Sequence, residues 1–475
     1  MKPEEIELIK TKHNAAIIAP AGHGKTEMIT ELVNKLPGKK LVLTHTNAGV
    51  DALKQRMNRK NINIDKYNLS TISSFCMKWC EAYPKTALVD SSISMSNPKF
   101  YTDQYNGTGR IFAQKWARNL LGITYNYIIV DEYQDCIEEQ HNIFININIS
   151  IPVYVLGDPL QSIFGWAGKL VSWTNMEFEI VEVETAPHRW ERTNTALGEY
   201  LTDIRKALLP SLEGKRVCLN ISPIGEYIQC IAPKNARDYL IEEIKKYQSV
   251  LFLTKWPRTQ CSFSQMTGGI FQNDEPQNLK DLYTYAQYCD SEDGYMIAKR
   301  ILEFISICST HTDELDSYKK HIAACDFDFS RIKKYPEFGY RMRKLYIDHG
   351  KNDILAVLEW IKANPEFRLY RRELFFELMR SIRIASDRGI TIHQAAQQIR
   401  MMPNNQSRYA GFKFLSSRAV LSKGLEFDYV AINLQEEYTS TEMYVAMTRA
   451  MKGICFITDQ DRVWLNVPEG VEMRG

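Results

Sequence analysis

The chain has 475 residues, of which 44% are apolar and 24% charged; this is enough for several buried cores and about three domains, which excludes a small single-module protein. Lys and Arg number 59 against 57 Asp and Glu, a formal charge of +2, so any grip on nucleic acid must be a local patch rather than an overall basic coat. The ten cysteines are scattered, with Cys76 and Cys80 the one close pair and no CxxC or neighbouring histidines at zinc spacing, which fits a reduced, cytoplasmic protein. MKPEEIELIK at the amino end lacks an apolar signal core, and no apolar run is long enough to span a bilayer, so neither secretion nor membrane insertion is expected.

In chain order, short apolar runs followed by helical patterns recur at 15–19, 40–44, 127–130, 153–156 and 178–184. Runs this apolar suit a parallel sheet covered by helices, giving an α/β fold. From Glu27 the pattern EMITELVNKL is helical and stops at Pro37 and Gly38, so strand, glycine-rich turn and helix follow in the order a phosphate site needs. The region 80–120 reads as a small insertion, and the polar–apolar alternation over 146–150 as strand or loop. Runs at 250–253, 429–433 and 454–457 predict a second α/β domain whose parts are far apart in sequence. Between them, from 270 to 405, patterns such as DGYMIAKRILEFIS and RELFFELMRSIRIA predict a mostly helical insertion.

The segment APAGHGKT, 19–26, keeps the GxxxxGK[ST] spacing with Ala19 in place of the first glycine. Ala21, Gly22, His23 and Gly24 form the turn whose backbone N–H groups face phosphate oxygens. Lys25 reaches the β and γ phosphates of ATP, and Thr26 can ligate Mg2+. IIVDEYQD, 128–135, ends an apolar strand in Asp131, suited to holding the metal, and Glu132, suited to orienting and deprotonating a water. Hydrolysis also needs positive charge near the transferred phosphate, and Arg189 in TAPHRW and Arg449 in YVAMTRA are candidates. One lies in each half of the chain, so closure of two domains on ATP would bring both to the γ-phosphate.

The ordered motifs resemble the UvrD/Rep/PcrA group of superfamily 1 DNA helicases. GHGKT (22–26), LTHTNAGVDALKQR (43–56), STISSF (70–75), IIVDEYQD (128–135), VLGDPLQSIFGWAG (155–168), HR (188–189), SKGLEFDYVAI (422–432) and EMYVAMTRA (442–450) look like motifs I, Ia, Ib, II, III, IV, V and VI. The resemblance implies two RecA-like P-loop motor domains, the first over 1–205 and the second over 206–269 plus 406–475, with the helical insertion at 270–405 between the two parts of the second. It also implies that Gln161 senses the γ-phosphate, that Arg189 and Arg449 contact it, that Gly424 allows a close backbone approach, and that Glu426 touches the ribose or links nucleotide state to DNA. By the same match, Phe164 and Trp166 stack single-stranded bases, and His45, Thr46 and Asn47 lie near the DNA backbone.

Several positions depart from the family pattern. The adenine-reading glutamine has no counterpart near Glu4 and Glu5, and His188 stands where a tyrosine normally stacks the base. His45 replaces an aromatic, Ala167 an arginine, and Ser73 and Val420 histidines. The hydrolysis set is intact while DNA coupling is altered. In size and layout the chain resembles the helicase-like partner of the OLD-type nuclease in Gabija anti-phage systems. The resemblance thus implies an ATP- and Mg2+-dependent 3′ to 5′ motor on single-stranded or tailed duplex DNA, with an OLD-family nuclease as partner and no membrane. The alternative is an ATP- and DNA-sensing regulatory or scaffold subunit that controls a partner nuclease.

Overall fold

The computed structural model describes residues 3–90, 92–93, 97, 99–165, 168–173, 176–181, 183–275, 280–401 and 412–473. They fall into two compact units, one comprising Met1–Ser222, Glu437–Gly453 and Gln460–Gly475, the other Pro223–Glu436 and Ile454–Asp459.

In the first unit, strands β1 (Asn14–Ile18), β2 (Lys40–Thr44), β3 (Tyr67–Thr71), β4 (Tyr127–Val130), β5 (Val153–Gly157) and β6 (Ile180–Val181) form one sheet in the order β3-β2-β4-β5-β1-β6. Their ladders are parallel. Alternation along the strands splits the core in two, because successive side chains face opposite sides of a sheet. Ala15, Ile17 and Ile129 pack with the helices Lys25–Lys35 and Asn47–Arg59 through Ile29, Leu32, Leu53 and Met57. Ala16, Ile128 and Val130 pack on the other face with Ile72–Ala82, Lys99–Phe112, Lys115–Thr124 and Glu138–Asn148, through Phe75, Phe112 and Phe144. A short antiparallel ladder joins β7 (Val217–Asn220) to Arg462–Leu465.

Another six-stranded sheet is formed by β8 (Ile228–Ile231), β9 (Val250–Leu253), β10 (Gln272–Asn273), β11 (Phe414–Ser417), β12 (Phe427–Asn433) and β13 (Ala450–Ile457), in the order β10-β11-β9-β12-β13-β8; all of it lies in the second unit except the start of β13, up to Gly453. Between β10 and β11 the described chain is helical from Lys280–Cys289 to Ile392–Met401, around a core including Ile301, Phe304, Leu358 and Phe375. Arg371 anchors the entry to these helices, donating to both oxygens of the buried Glu275 at 2.6 and 2.8 Å. Two parallel sheets with flanking helices make the fold α/β, as expected.

Some details differ from the sequence reading. The alternation over 146–150 is not extended: Asn146, Ile147 and Asn148 finish the helix Glu138–Asn148, whose buried Gln140, Ile143, Phe144 and Ile147 follow helical spacing. Among the described residues of the run 178–184, Ile180 and Val181 pair as strand. β3, β8 and β11 lie outside the runs read from the sequence, because polar residues interrupt or end their apolar ones (YNLST, IQCI, FLSS). The first compact unit extends to Ser222 and recruits Glu437–Gly453 from near the carboxyl end. None of the helices, among the described residues, is long and apolar enough to cross a membrane.

Candidate nucleotide site

Between β1 and the helix Lys25–Lys35 the chain turns through left-handed backbone at Gly22 (φ 72°) and Gly24 (φ 84°), which glycine adopts without steric cost. The turn is seated on Trp190. A Cβ on Gly22 would lie 2.6 Å from that indole and 2.9 Å from the Arg189 Cβ, and the Arg189 N–H donates to the Gly22 carbonyl at 3.0 Å. Trp190, almost wholly buried, in turn donates Nε1–H to the Ala450 carbonyl at 2.7 Å. His23 is buried within the loop with Nδ1 2.8 Å from the Ala21 carbonyl, so Nδ1 carries the proton; burial lowers its pKa. His188 is exposed, its Nδ1 2.6 Å from Glu191 Oε1, and its ring carbon is 3.4 Å from where a Cβ on Gly24 would stand.

Lys25 opens the helix, with Nζ 2.5 Å from Glu132 Oε1 and 3.7 Å from Asp131 Oδ1. Burial opposes its charge, but the carboxylates of Glu132 and Asp131 outweigh burial and raise its pKa. Glu132 takes a left-handed conformation, φ 55°, uncommon for a residue with a side chain. Its N–H donates to Asp131 Oδ1 at 2.9 Å, and Gln134 Nε2 donates to its Oε2 at 2.5 Å. Both carboxylate oxygens of Glu132 are therefore held.

Asp158, just past β5, was not singled out from the sequence, yet it gathers the site. Its fully buried carboxylate accepts from the Ala21 N–H at 3.2 Å, the Leu160 N–H at 3.3 Å, Gln161 Nε2 at 3.3 Å and Arg205 Nη2 at 3.1 Å. The buried Tyr444 hydroxyl is within hydrogen-bonding reach of Asp158, and burial pushes its pKa up. Gln134, fully buried, accepts the Asp158 N–H at 3.1 Å, which links motif II to motif III. The sequence signal for Asp158 was an acid closing an all-apolar strand; Gln134, Arg205 and Tyr444 gave none.

Helix Ser440–Met447, begun by a capping box of Thr439 and Glu442, packs beside the turn Pro159–Gln161. It delivers Thr448 and Arg449. Arg449 is almost fully buried, donating Nε–H to the Val445 carbonyl at 3.0 Å and Nη2–H to Thr448 Oγ1 at 3.1 Å. Arg189 donates Nη1–H to the Thr448 carbonyl at 2.7 Å. Both arginines thus flank Thr448 within the first compact unit, whereas the sequence reading put them in different domains brought together by closure.

Of the expected DNA contacts, Thr46 caps the helix Asn47–Arg59 by accepting the Gly49 N–H at 3.0 Å, and both Thr46 and Asn47 are exposed. His45 is half-buried, its Nε2 3.5 Å from Cys136 Sγ. Phe164 is half-buried; Trp166 lies outside the described residues, as does Ala167. Gly424 (φ 86°) and Glu426 are exposed and belong to the second unit.

Residues 4–167 match the family model described as an AAA domain. Nucleotide use follows. The match takes in the glycine turn, Lys25, Thr26, Asp131, Glu132 and Gln161, and covers about a third of the chain. A search of curated proteins finds no match. Among solved structures the chain is similar to one titled "Complex structure of Arterivirus nonstructural protein 10 (helicase) with DNA", at 9% identity and a TM-score of 0.35, over 96% of this chain and 64% of that one. The chain therefore spans less than two thirds of that protein's length.

The residues of the matched segment fit Mg2+ with a nucleotide. The glycine turn bares backbone at the start of a helix, where phosphate is favoured. Thr26 and Asp131 offer the hard oxygen donors that Mg2+ prefers. Among the described residues no cluster of three or more His, Cys, Asp or Glu is set to hold a metal.

Proposed function

We propose that the chain is an ATP-driven translocase or helicase that moves 3′ to 5′ on single-stranded DNA. The observation that carries the reading is the Lys25–Glu132 pair, with Asp131 beside it and Arg189 and Arg449 flanking Thr448 in the same unit. In this reading the β and γ phosphates replace Glu132 as the partners of Lys25. Glu132 is then released to accept a proton from the attacking water while Gln134 holds its other oxygen. Gln161, fixed through Asp158, faces the γ-phosphate, and the two arginines meet charge as it develops there. Thr26 and Asp131 would hold Mg2+, which would supply positive charge to the phosphates.

The order of motifs I to VI supports a motor on DNA, with Phe164 and Trp166 stacking bases, His45, Thr46 and Asn47 along the backbone, and Gly424 and Glu426 serving the nucleotide from the second motor domain. The insertion at 270–405 engages duplex. We further assign it, on the Gabija-like layout, to a cytoplasmic anti-phage complex with an OLD-family nuclease. The test is ATP turnover by the whole chain with no nucleic acid, single-stranded DNA or single-stranded RNA, together with strand displacement from 3′- and 5′-tailed duplexes. Stimulation by DNA and displacement of the 3′-tailed substrate are expected. Displacement of the 5′-tailed duplex alone would reverse the assigned polarity.

One observation favours the sensing alternative: His45, where a base-facing aromatic is expected, faces Cys136 instead. In that reading ATP and DNA binding regulate a partner nuclease, with little unwinding by the chain itself.

A further inference from the structure

The first sheet ends at β3, whose one strand partner among the described residues is β2. Beside its other edge runs a groove of about 650 Å³, lined along four consecutive β3 residues, 67–70. One wall is the helix Asn47–Arg59, contributing Val50 and Lys54. The other is made by Lys78 and Trp79 of Ile72–Ala82 and by Leu120 and Thr124 of Lys115–Thr124. The groove therefore lies where the helical layers on the two faces of the sheet part to leave the strand edge between them.

Three features of this place go together. An edge strand turns every second N–H and C=O away from its neighbour, which offers a template for another strand. Next to it the outer face of Lys115–Thr124 carries Trp116, Leu120 and Ile123, 41%, 41% and 82% exposed and spaced to share one side of the helix. This ridge joins the groove through Tyr83, a lining residue whose ring is 4.8 Å from Trp116. Finally, the lining includes two lysines, Lys54 and Lys78, one on each wall, and no acidic residue.

We propose that this groove is a strand-addition site for a partner protein, receiving an extended apolar segment flanked by acidic residues onto the free edge of β3. Four residues of β3 span about 13 Å at ~3.3 Å per residue, enough to pair a core of four. Alternate side chains of the added strand face the two walls, so apolar ones rest on Trp79 and Leu120 of one wall and on Val50 of the other, while acids at the ends reach Lys54 and Lys78. A nucleic-acid strand fits less well. Two cations are few for a phosphate chain, and a sugar–phosphate strand cannot match the alternating N–H and C=O groups of a strand edge.

The probe is a capped, fluorescein-labelled octapeptide, four central residues alternating phenylalanine and valine with two acidic residues on each side, titrated against the whole chain and read by anisotropy. Saturable binding is expected, weakened at least about tenfold when lysines replace the acids, because like charges then meet Lys54 and Lys78. It is weakened about as much when two central residues become proline, which cannot donate to the ladder. Lys54→Glu with Lys78→Glu should lose the acidic peptide while keeping DNA-free ATP turnover, which reports intact folding. The proposal is overturned if no peptide binds, if the lysine or proline versions bind as well, or if the double variant binds unchanged. It is also overturned if a thymidine decamer displaces the peptide one for one, making the groove a nucleic-acid surface, or if the chain self-associates in a manner that Trp116→Ser and the peptide both abolish, making the occupant a second copy.

Discussion

The backbone N–H of Ala21 donates to Asp158 Oδ2 at 3.2 Å, which ties the phosphate loop to the end of β5 through a carboxylate that is itself fully buried. Arg205, largely buried, supplies the opposite charge at 3.1 Å. Asp158→Ala leaves that guanidinium uncompensated, at a cost on the order of 3–5 kcal/mol. Urea titration of Asp158→Ala, Arg205→Ala and the double variant checks this. The double variant should cost clearly less than the two singles summed, and simple additivity would show that the charges are not coupled.

Lys25→Ala and Glu132→Gln should both abolish steady-state ATP turnover, by different routes. The first removes the cation that meets the β and γ phosphates, so nucleotide affinity falls. The second removes the Glu132 charge that competes with phosphate for Lys25, leaving Asp131 beside it, so binding persists or tightens while hydrolysis stops. Titration with a fluorescent ATP analogue separates the two, and substantial turnover by Glu132→Gln would remove its assigned role.

Arg189→Ala and Arg449→Ala should differ in kind, because only Arg449 is almost fully buried. Each lowers maximal turnover far more than it weakens ATP binding if the guanidinium meets charge in the transition state. Arg449→Ala should also lower the melting temperature, since it empties a packed site and removes a hydrogen bond to the Val445 carbonyl, which still accepts from the Thr448 hydroxyl at 3.1 Å. Turnover near wild type at saturating ATP and DNA would place the arginine outside the reaction.

Trp166→Ala should weaken single-strand binding about tenfold or more, a base–aromatic contact being worth roughly 1–3 kcal/mol. The loss should be alike for mixed sequences, since stacking reads no base edge, and DNA-free hydrolysis should be spared. An equal fall in DNA-free turnover would make Trp166 part of the core.

Acid should destabilise the fold through His23 and His141, whose pKa values are both lowered, chiefly by burial. The folded state then binds fewer protons than the unfolded one, so stability is present above the unfolded value of about 6.5 and is lost as pH falls from there toward the lowered folded value. Urea midpoints at pH 8 and pH 5.5 measure the loss, and His23→Asn should shrink it. An unchanged difference in that variant would mean His23 titrates no differently on folding.

The phosphate loop was legible because its evidence is contiguous: an apolar run, two glycines, a lysine and an amphipathic helix. The strands flanking it were legible for the same reason. β3 was not, since YNLST alternates Tyr67 and Leu69 with Asn68 and Ser70, the mark of an edge strand with one weakly apolar face. Asp158 was illegible as a hub because Ala21 and Arg205, its partners, are 137 and 47 residues away. The placement of Arg449 beside Arg189 was equally hidden. Both meet at the Thr448 residue, whose position depends on helix Ser440–Met447 packing beside Pro159–Gln161, a tertiary choice that no local pattern encodes.

The seating of Gly22 on Trp190 alters how the loop can be probed. Substituting glycine in a phosphate loop is a common way to ask whether nucleotide matters, but at this position a methyl group would have to displace an indole that is bonded to Ala450. Gly22→Ala would therefore loosen the link between the loop and the strand carrying Ala450, and inactivity in that variant would report on folding as much as on ATP. Residue 22 is a keystone before it is a ligand, whereas shortening Lys25 presses on no neighbour and falls instead on the charges of Glu132 and Asp131.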